Sequence, residues 1–318
     1  MYNAASAKER IDSVIDENMK FYAGDRLVVT KLLAAVIAGG HVLLEDVPGV
    51  GKTFLAKILA KTLGLSFTRI QFTPDLLPSD IVGTKLWRPS EGKFEVVLGP
   101  VFSNFILADE INRAPPKTQA ALLEAMEEMQ VTIEGETHQL PKPFVVVATQ
   151  NPIEFEGTYP LPEAQMDRFM LKLTLGYPNP ELEEELLGRR VTWKSDDPSS
   201  LAPTLISREE LLALRALAEE GVRVEKDVMR YVVSFRKIRD DERVIAGPSP
   251  RALISLMRMA RAMALTEGRD YVIPDDVKGV AREVLGHRIV LKPELALEGG
   301  VTGSEVVGEY LEELPVPK

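Results

Sequence analysis

Between His41 and Gly64 the chain reads HVLLEDVPGVGKTFLAKILAKTLG. Apolar residues run up to a charged pair, a Gly-rich turn follows, then Lys-Thr, then an amphipathic helical pattern. That order calls for a strand, a tight loop and a helix. It converges backbone N–H groups and a helix N-terminus on one point, which makes an anion site. Lys52 would reach the outer phosphates of a nucleotide, and Thr53 would set its hydroxyl on Mg²⁺. The general pattern is G-x-x-x-x-G-K-[ST], whose first Gly falls on residue 46; here that residue is Asp46. The position lies at the strand exit, before the anion-binding turn itself. Asp46 is expected to cap the turn, in an unusual backbone conformation that Asp tolerates.

The surrounding sequence supplies a scaffold for such a loop. Five short apolar runs have strand character: Val42–Leu44, Phe67–Phe72, Asn104–Ala108, Phe144–Thr149 and Met170–Leu175. Helical patterns separate several of them. One runs from Pro115 to Met129, with Leu122, Met126 and Met129 on one face. Strands alternating with helices imply an α/β fold with a mostly parallel sheet covered on both faces. Two segments interrupt the alternation, Thr84–Pro100 and Val131–Phe144, and read either as inserted hairpins or as surface loops. Two helices, about Ala5–Phe21 and Arg26–Ala38, precede the first strand, the second stopping at Gly39-Gly40.

After Tyr177 the texture changes. PNPELEEELLGRR reads as a charged helix and KSDDPSSLAPT as a polar linker. From Ser207 to about Leu291 every pattern is helical, with starts marked by SREE and PSPRA. The expected plan is an N-terminal helix (1–22), an α/β nucleotide-binding core (23–180), a linker (181–206) and a small all-α domain with a C-terminal tail (207–318).

Composition narrows the function classes. The 318 residues carry a net charge of −10, against the basic excess of a nonspecific nucleic-acid binder. There are no Cys residues, and the three His (His41, His138, His287) are far apart in sequence, so no His- or Cys-built metal site is expected. The N-terminus is polar and amphipathic rather than a signal peptide. The longest purely apolar run, Leu32–Ala38, is far below the ~20 residues of a membrane span. A soluble, cytoplasmic protein is expected.

Four further motifs carry chemistry. NFILADEIN ends an apolar strand in Asp109-Glu110. At the C-terminal edge of a parallel sheet, Asp109 would hold Mg²⁺ through water and Glu110 would orient a water against the γ-phosphate. FVVVATQNP ends in Asn151, whose amide could contact the γ-phosphate or that water, or could form an Asx turn before Pro152. LPEAQMDRFML places Arg168 before a strand, either in an ion pair with Asp167 or Glu163 or as an arginine finger for a neighbouring subunit. GPSPRALISLMRMARAM puts Arg251 in the first turn of a helix, where a cation opposes the dipole and a nearby anion would justify it.

EDVPGVGKT, LADEINRAPPKTQAALLEAMEE, VATQNPIEFEGTYPLPEAQMDRF and GPSPRA, in that order, resemble the MoxR family of AAA+ ATPases, over about Ala23 to Leu291. The resemblance implies an AAA+ core with a five-stranded parallel sheet, two inserted β-hairpins and an all-α lid. It implies ATP and Mg²⁺ as ligands. Pro48, Gly49, Val50, Gly51, Lys52, Thr53 and Phe54 would form the nucleotide loop, Thr53 and Asp109 the metal site, and Glu110 the catalytic base. Asn151 resembles a first sensor, Arg251 a second sensor carried by the lid, and Arg168 the arginine finger. FYAGDRLVV, around Gly24, matches the family's adenine-side segment only loosely. The tail after Leu291 falls outside the motifs, as a final helix or a partner-binding peptide. Such proteins form hexameric rings that remodel client or adaptor proteins, often ones with a von Willebrand factor A domain, in maturation or metal-cofactor insertion. A chelatase-type motor subunit is an alternative. A nucleic-acid-directed motor is a weaker one, because hairpin Val131–Phe144 carries two acids and one Lys.

Overall fold

The computed structural model describes residues 3–152, 157–195, 197–294 and 300–317. Helix α1 (Ala4–Phe21) starts at a capping box between Asn3 and Ser6 and buries Ile11, Val14 and Ile15. Helix α2 (Arg26–Ile37) is capped by Asp25 and is buried from Lys31 to its end. Gly39, at φ +71°, turns the chain into β1 (Val42–Glu45). Then come α3 (Lys52–Thr62), β2 (Phe67–Gln71), α4 (Pro78–Val82) and the hairpin β3 (Gly83–Arg88) to β4 (Lys93–Leu98). Strand β5 (Phe105–Asp109) leads to α5 (Pro116–Glu128) and a second hairpin, β6 (Gln130–Ile133) to β7 (Glu136–Gln139). Strand β8 (Val145–Gln150), the short α6 (Glu163–Met166) and β9 (Leu171–Leu173) complete the α/β part.

Five strands make one parallel sheet in the order β2-β5-β8-β1-β9. Side chains alternate across it with period 2, and the alternation sorts the core in two. Phe105, Leu107, Val145, Val147, Val42 and Leu44 join the apolar cluster containing α1, α2 and α3. Ile106, Ala108, Val146, Ala148 and Leu43 join the cluster under α4 and α5. Both inserted segments are hairpins, with pairings Gly83↔Leu98 to Arg88↔Lys93 and Gln130↔Gln139 to Ile133↔Glu136. The second turns at Glu134-Gly135, both at positive φ, the backbone hand that closes a two-residue hairpin loop.

Helix α7 (Pro180–Trp193) and a 3₁₀ turn (Pro198–Leu201) follow the sheet. This stretch is fastened to α3: Lys61 Nζ donates to Ser199 O (2.8 Å) and Ser200 O (2.7 Å). Trp193 stacks on Phe21 at 5.7 Å between ring centres. The C-terminal unit holds α8 (Arg208–Ala216), α9 (Lys226–Ser234), α10 (Pro250–Thr266), α11 (Pro274–Leu285) and the helix Gly303–Glu313. The sequence pattern predicts an all-α unit, but the unit is not purely helical. Strands β10 (Val244–Ala246) and β11 (Val290–Leu291) pair antiparallel. Two or three residues per strand are too few for a period-2 signal, and their partners lie far apart in sequence. Helix α10 packs on α1 and α2, and its Leu256, Met259 and Ala260 belong to the same buried cluster, so this unit shares the apolar cluster of one sheet face.

Candidate functional site

The loop leaves the C-terminal end of β1. Gly49 and Gly51 both stand at φ +88°, a hand that residues with a Cβ rarely adopt. Gly51 is the N-cap of α3 and supplies no capping side chain, so the first-turn N–H groups face the hollow of the loop. Lys52 Nζ donates to Asp46 O at 2.6 Å, folded back over the same hollow.

The ends of the two neighbouring strands β5 and β8, with β2 beyond them, bring the other polar groups to this edge. Thr53 Oγ1 lies 3.4 Å from Asp109 Oδ2, so a hydroxyl and a carboxylate converge as hard oxygen donors that suit Mg²⁺. The other Asp109 oxygen accepts from Thr149 Oγ1 at 2.6 Å, and Thr149 in turn accepts the Glu110 backbone N–H at 2.8 Å. Arg69 holds Asp109 Oδ2 through Nε (2.9 Å) and Nη2 (2.6 Å). Glu110 is itself left-handed, at φ +56°, a conformation that costs a non-glycine residue of order 1 kcal/mol or more. Its carboxylate is held by Gln71 Nε2 at 2.7 Å and by Arg113 Nε at 3.2 Å. Asn151 is buried one residue beyond the end of β8, two residues after Thr149.

Asp46 turns out differently from expectation. It is not among the residues at positive φ. Its Oδ1 accepts from Val47 N (2.8 Å), which does cap the turn, while Oδ2 accepts from Leu175 N (2.6 Å) and Gly176 N (2.7 Å). The carboxylate therefore ties the exit of β1 to the chain leaving β9.

Beside the loop lies an open cleft of about 360 Å³, lined by Tyr22, Ala23, Gly51, Phe54, Tyr177 and Leu186 among others. Its apolar, aromatic walls suit a planar base. A Cβ at Gly24 would stand 2.4 Å from the Tyr22 ring, so a larger residue there would displace that ring. Burial pushes the Tyr22 hydroxyl up to about 12, with the carboxylates of Asp46 and Asp25 adding to it.

The two arginines lie elsewhere. Parallel strands put the loop at one edge of the sheet, and Arg168, just before β9, at the other. Arg168 pairs with neither Asp167 nor Glu163 but with Glu127: Nε to Oε2 is 3.0 Å. Arg251 Nη1 takes the second oxygen of that carboxylate at 3.0 Å, and its Nε is 4.0 Å from Asp167 Oδ2. Arg251 is thus at the strand-entry edge as well, not over its own chain's loop. His41, at the entry of β1, marks the same edge. It donates Nε2–H to Met126 O (3.3 Å) and accepts from Val146 N at Nδ1 (3.0 Å). Burial pushes His41 down to about 4, and the nearby Arg215, Arg251 and Arg258 push the same way.

Sequence reasoning therefore found Lys52, Thr53, Asp109, Glu110 and Asn151 at one edge and missed Arg69, Gln71, Thr149 and Glu127. A signal for two of these existed. Arg69 and Gln71 are polar residues two apart on one face of β2, with Gln71 in register with Asp109.

Comparison with known proteins agrees with this architecture. Residues 41–171 match the model of the ATPase family associated with various cellular activities (AAA), and residues 236–309 match the AAA lid domain. An uncharacterised protein of Bacillus subtilis, YeaC, is 47% identical over 96% of this chain and 95% of its own. Chaperone MoxR1 of Mycobacterium tuberculosis is 43% identical over 99% of this chain and 84% of its own. A crystal structure of a Cytophaga hutchinsonii protein assigned as an ATPase superposes with a TM-score of 0.90 at 43% identity, covering 99% of this chain and 97% of that one.

Proposed function

The chain belongs to the MoxR family of AAA+ ATPases, and from that premise we propose that it hydrolyses Mg-ATP at sites shared between neighbouring copies in a hexameric ring. One observation carries the reading. The loop, Asp109 and Glu110 are at the strand-exit edge, whereas Arg168 and Arg251 are at the strand-entry edge, clamped on Glu127. Strands of four to six residues separate the edges by roughly 13–20 Å. One chain cannot bring both sets to one nucleotide, but a ring of copies brings the arginines of each to the loop of the next.

In this reading the loop from Pro48 through Phe54 cradles the phosphates, with Lys52 moving from the Asp46 carbonyl onto them. Thr53 and Asp109 would hold Mg²⁺, which would supply positive charge against the phosphoryl group being transferred. Glu110 orients and polarises the attacking water, Asn151 contacts the γ-phosphate or that water, and Arg168 stabilises the charge that develops. Arg251 serves the same neighbouring nucleotide from the lid. Hydrolysis drives remodelling of a client or adaptor protein, such as one with a von Willebrand factor A domain, in maturation or metal-cofactor insertion in the cytoplasm. The hairpin β3–β4, with Trp87 and Phe94 exposed and packed edge to face at 5.1 Å, offers an apolar surface for such a client.

Two variants test the site. Glu110→Gln is expected to bind ATP and hold it, with turnover down about 100-fold or more. Arg168→Ala is expected to bind ATP but lose the ~10³-fold or more that an arginine finger supplies. Normal single-turnover hydrolysis in either variant removes that residue from its role.

A further inference from the structure

We infer that Glu127 is a positioning residue for the catalytic arginines, holding Arg168 and Arg251 together at the subunit edge for delivery to the neighbouring nucleotide; this rests on the in-trans reading above. Three guanidiniums (Arg168, Arg251, Arg288) and two carboxylates (Glu127, Asp167) form one cluster. Glu127 Oε2 meets Arg168 Nε at 3.0 Å, Glu127 Oε1 meets Arg251 Nη1 at 3.0 Å, and Arg288 Nε meets Asp167 Oδ1 at 2.7 Å. Arg168 and Arg251 come from separate elements, the strand-entry segment of the core and the first turn of α10 in the lid. Two cations brought this close repel, and one carboxylate with an oxygen for each removes the repulsion while fixing their separation.

The local placements make sense only as a pair. Glu127 is an acid in the last turn of α5, where the helix dipole disfavours it, and that turn has no basic residue to compensate. Arg251 is a base in the first turn of α10, where the dipole disfavours it too. Each end is locally wrong, and each charge answers the other.

The helix that carries Glu127 is anchored at its opposite end, in its first turn. Buried Gln119, also on α5, donates its amide to Ile111 O (3.2 Å), Ala114 O (3.1 Å) and Tyr159 O (2.9 Å). On the lid side, buried Arg288 donates to Phe169 O at 2.8 Å, one residue beyond Arg168. A clamp set on such elements positions side chains to the tolerance that phosphoryl transfer requires.

Mixed rings separate this role from a merely structural one. Arg168→Ala subunits keep a complete loop and Glu110, and Glu110→Gln subunits keep their arginines, so mixing the two is expected to restore hydrolysis that neither shows alone. Glu127→Gln is then added to one partner or the other. In the Glu110→Gln subunit, which donates arginines, it is expected to cut the restored rate by about 10- to 100-fold with KM for ATP unchanged. Glu127→Asp in that subunit is expected to recover part of the loss. In the Arg168→Ala subunit, Glu127→Gln is expected to leave the restored rate as it was. Equal loss from both placements, or no loss from the arginine-donating one, overturns the inference. If the starting pair restores nothing, the in-trans reading of Arg168 falls, and this inference with it.

Discussion

Replacing Asp46 by Gly would restore the first glycine of the general phosphate-loop pattern, and the structure says it should damage the protein. The carboxylate accepts three backbone N–H groups: Val47 at 2.8 Å, Leu175 at 2.6 Å and Gly176 at 2.7 Å. A hydrogen bond to a charged group contributes ~1.5–3 kcal/mol net. Asp46 is buried, whereas Leu175 and Gly176 are partly accessible, so water can reclaim some of their donors after the change. A discounted sum is roughly 3 kcal/mol, to which Gly adds up to about 1 kcal/mol of backbone entropy. Urea unfolding followed by circular dichroism should therefore show a loss of about 3–4 kcal/mol for Asp46→Gly. Asp46→Asn, which keeps one acceptor oxygen, should lose less. The 175–176 segment leads directly to Tyr177 and Pro178 on the nucleotide cleft, so the apparent ATP affinity of Asp46→Gly should also fall. An Asp46→Gly variant as stable as the parent would refute the anchor role, and the conventional view of position 46 as a turn residue would return.

Three further outcomes are expected. Thr149→Val keeps shape but removes the hydroxyl between Asp109 and the Glu110 N–H; hydrolysis should fall by roughly 10- to 100-fold, as for other supports of a metal ligand, read from steady-state rates against Mg²⁺ concentration. His41 has a folded-state pKa of about 4, below its ordinary 6.5, so its neutral form stabilises the fold fully above pH 6.5 and that contribution is lost as pH falls toward 4. Unfolding at pH 5 should show roughly 2 kcal/mol less stability from this residue than at pH 7.5, and a His41→Gln variant that kept the full pH dependence would exclude it as the source. Trp193→Ala removes the stack on Phe21 and the contact with Phe54 that seat α7; a loss of about 2 kcal/mol is expected in urea midpoints, and no loss would mean the helix is held by its polar contacts alone.

What was legible in the sequence was local. The loop, the Asp109-Glu110 pair and the helix starts each lie within a few consecutive residues, and periodicity or capping chemistry announces them. The segment Val131–Phe144 was legible only as a hairpin or a surface loop, and the positive φ of Glu134 and Gly135 decides for the hairpin. What was not legible depends on pairs distant in sequence. Asp46 finds its donors 129 and 130 residues away. Arg251 finds Glu127 at a separation of 124. The anion that Arg251 needs at its helix start was foreseeable, but its identity was not. Strands β10 and β11 are too short to leave a pattern. Resemblance assigned Arg251 a place near a nucleotide, and only the strand directions show that its own chain's loop is at the opposite edge of the sheet.

In the proposed ring, ATP is hydrolysed between copies of the chain. ATPase rate per subunit, measured across subunit concentration with mass determined by light scattering in the same samples, tests it most directly. Specific activity should rise in step with the appearance of a hexamer and level off when assembly is complete. Constant specific activity from monomer to assembled ring would contradict the claim and return Arg168 and Arg251 to a structural cluster around Glu127.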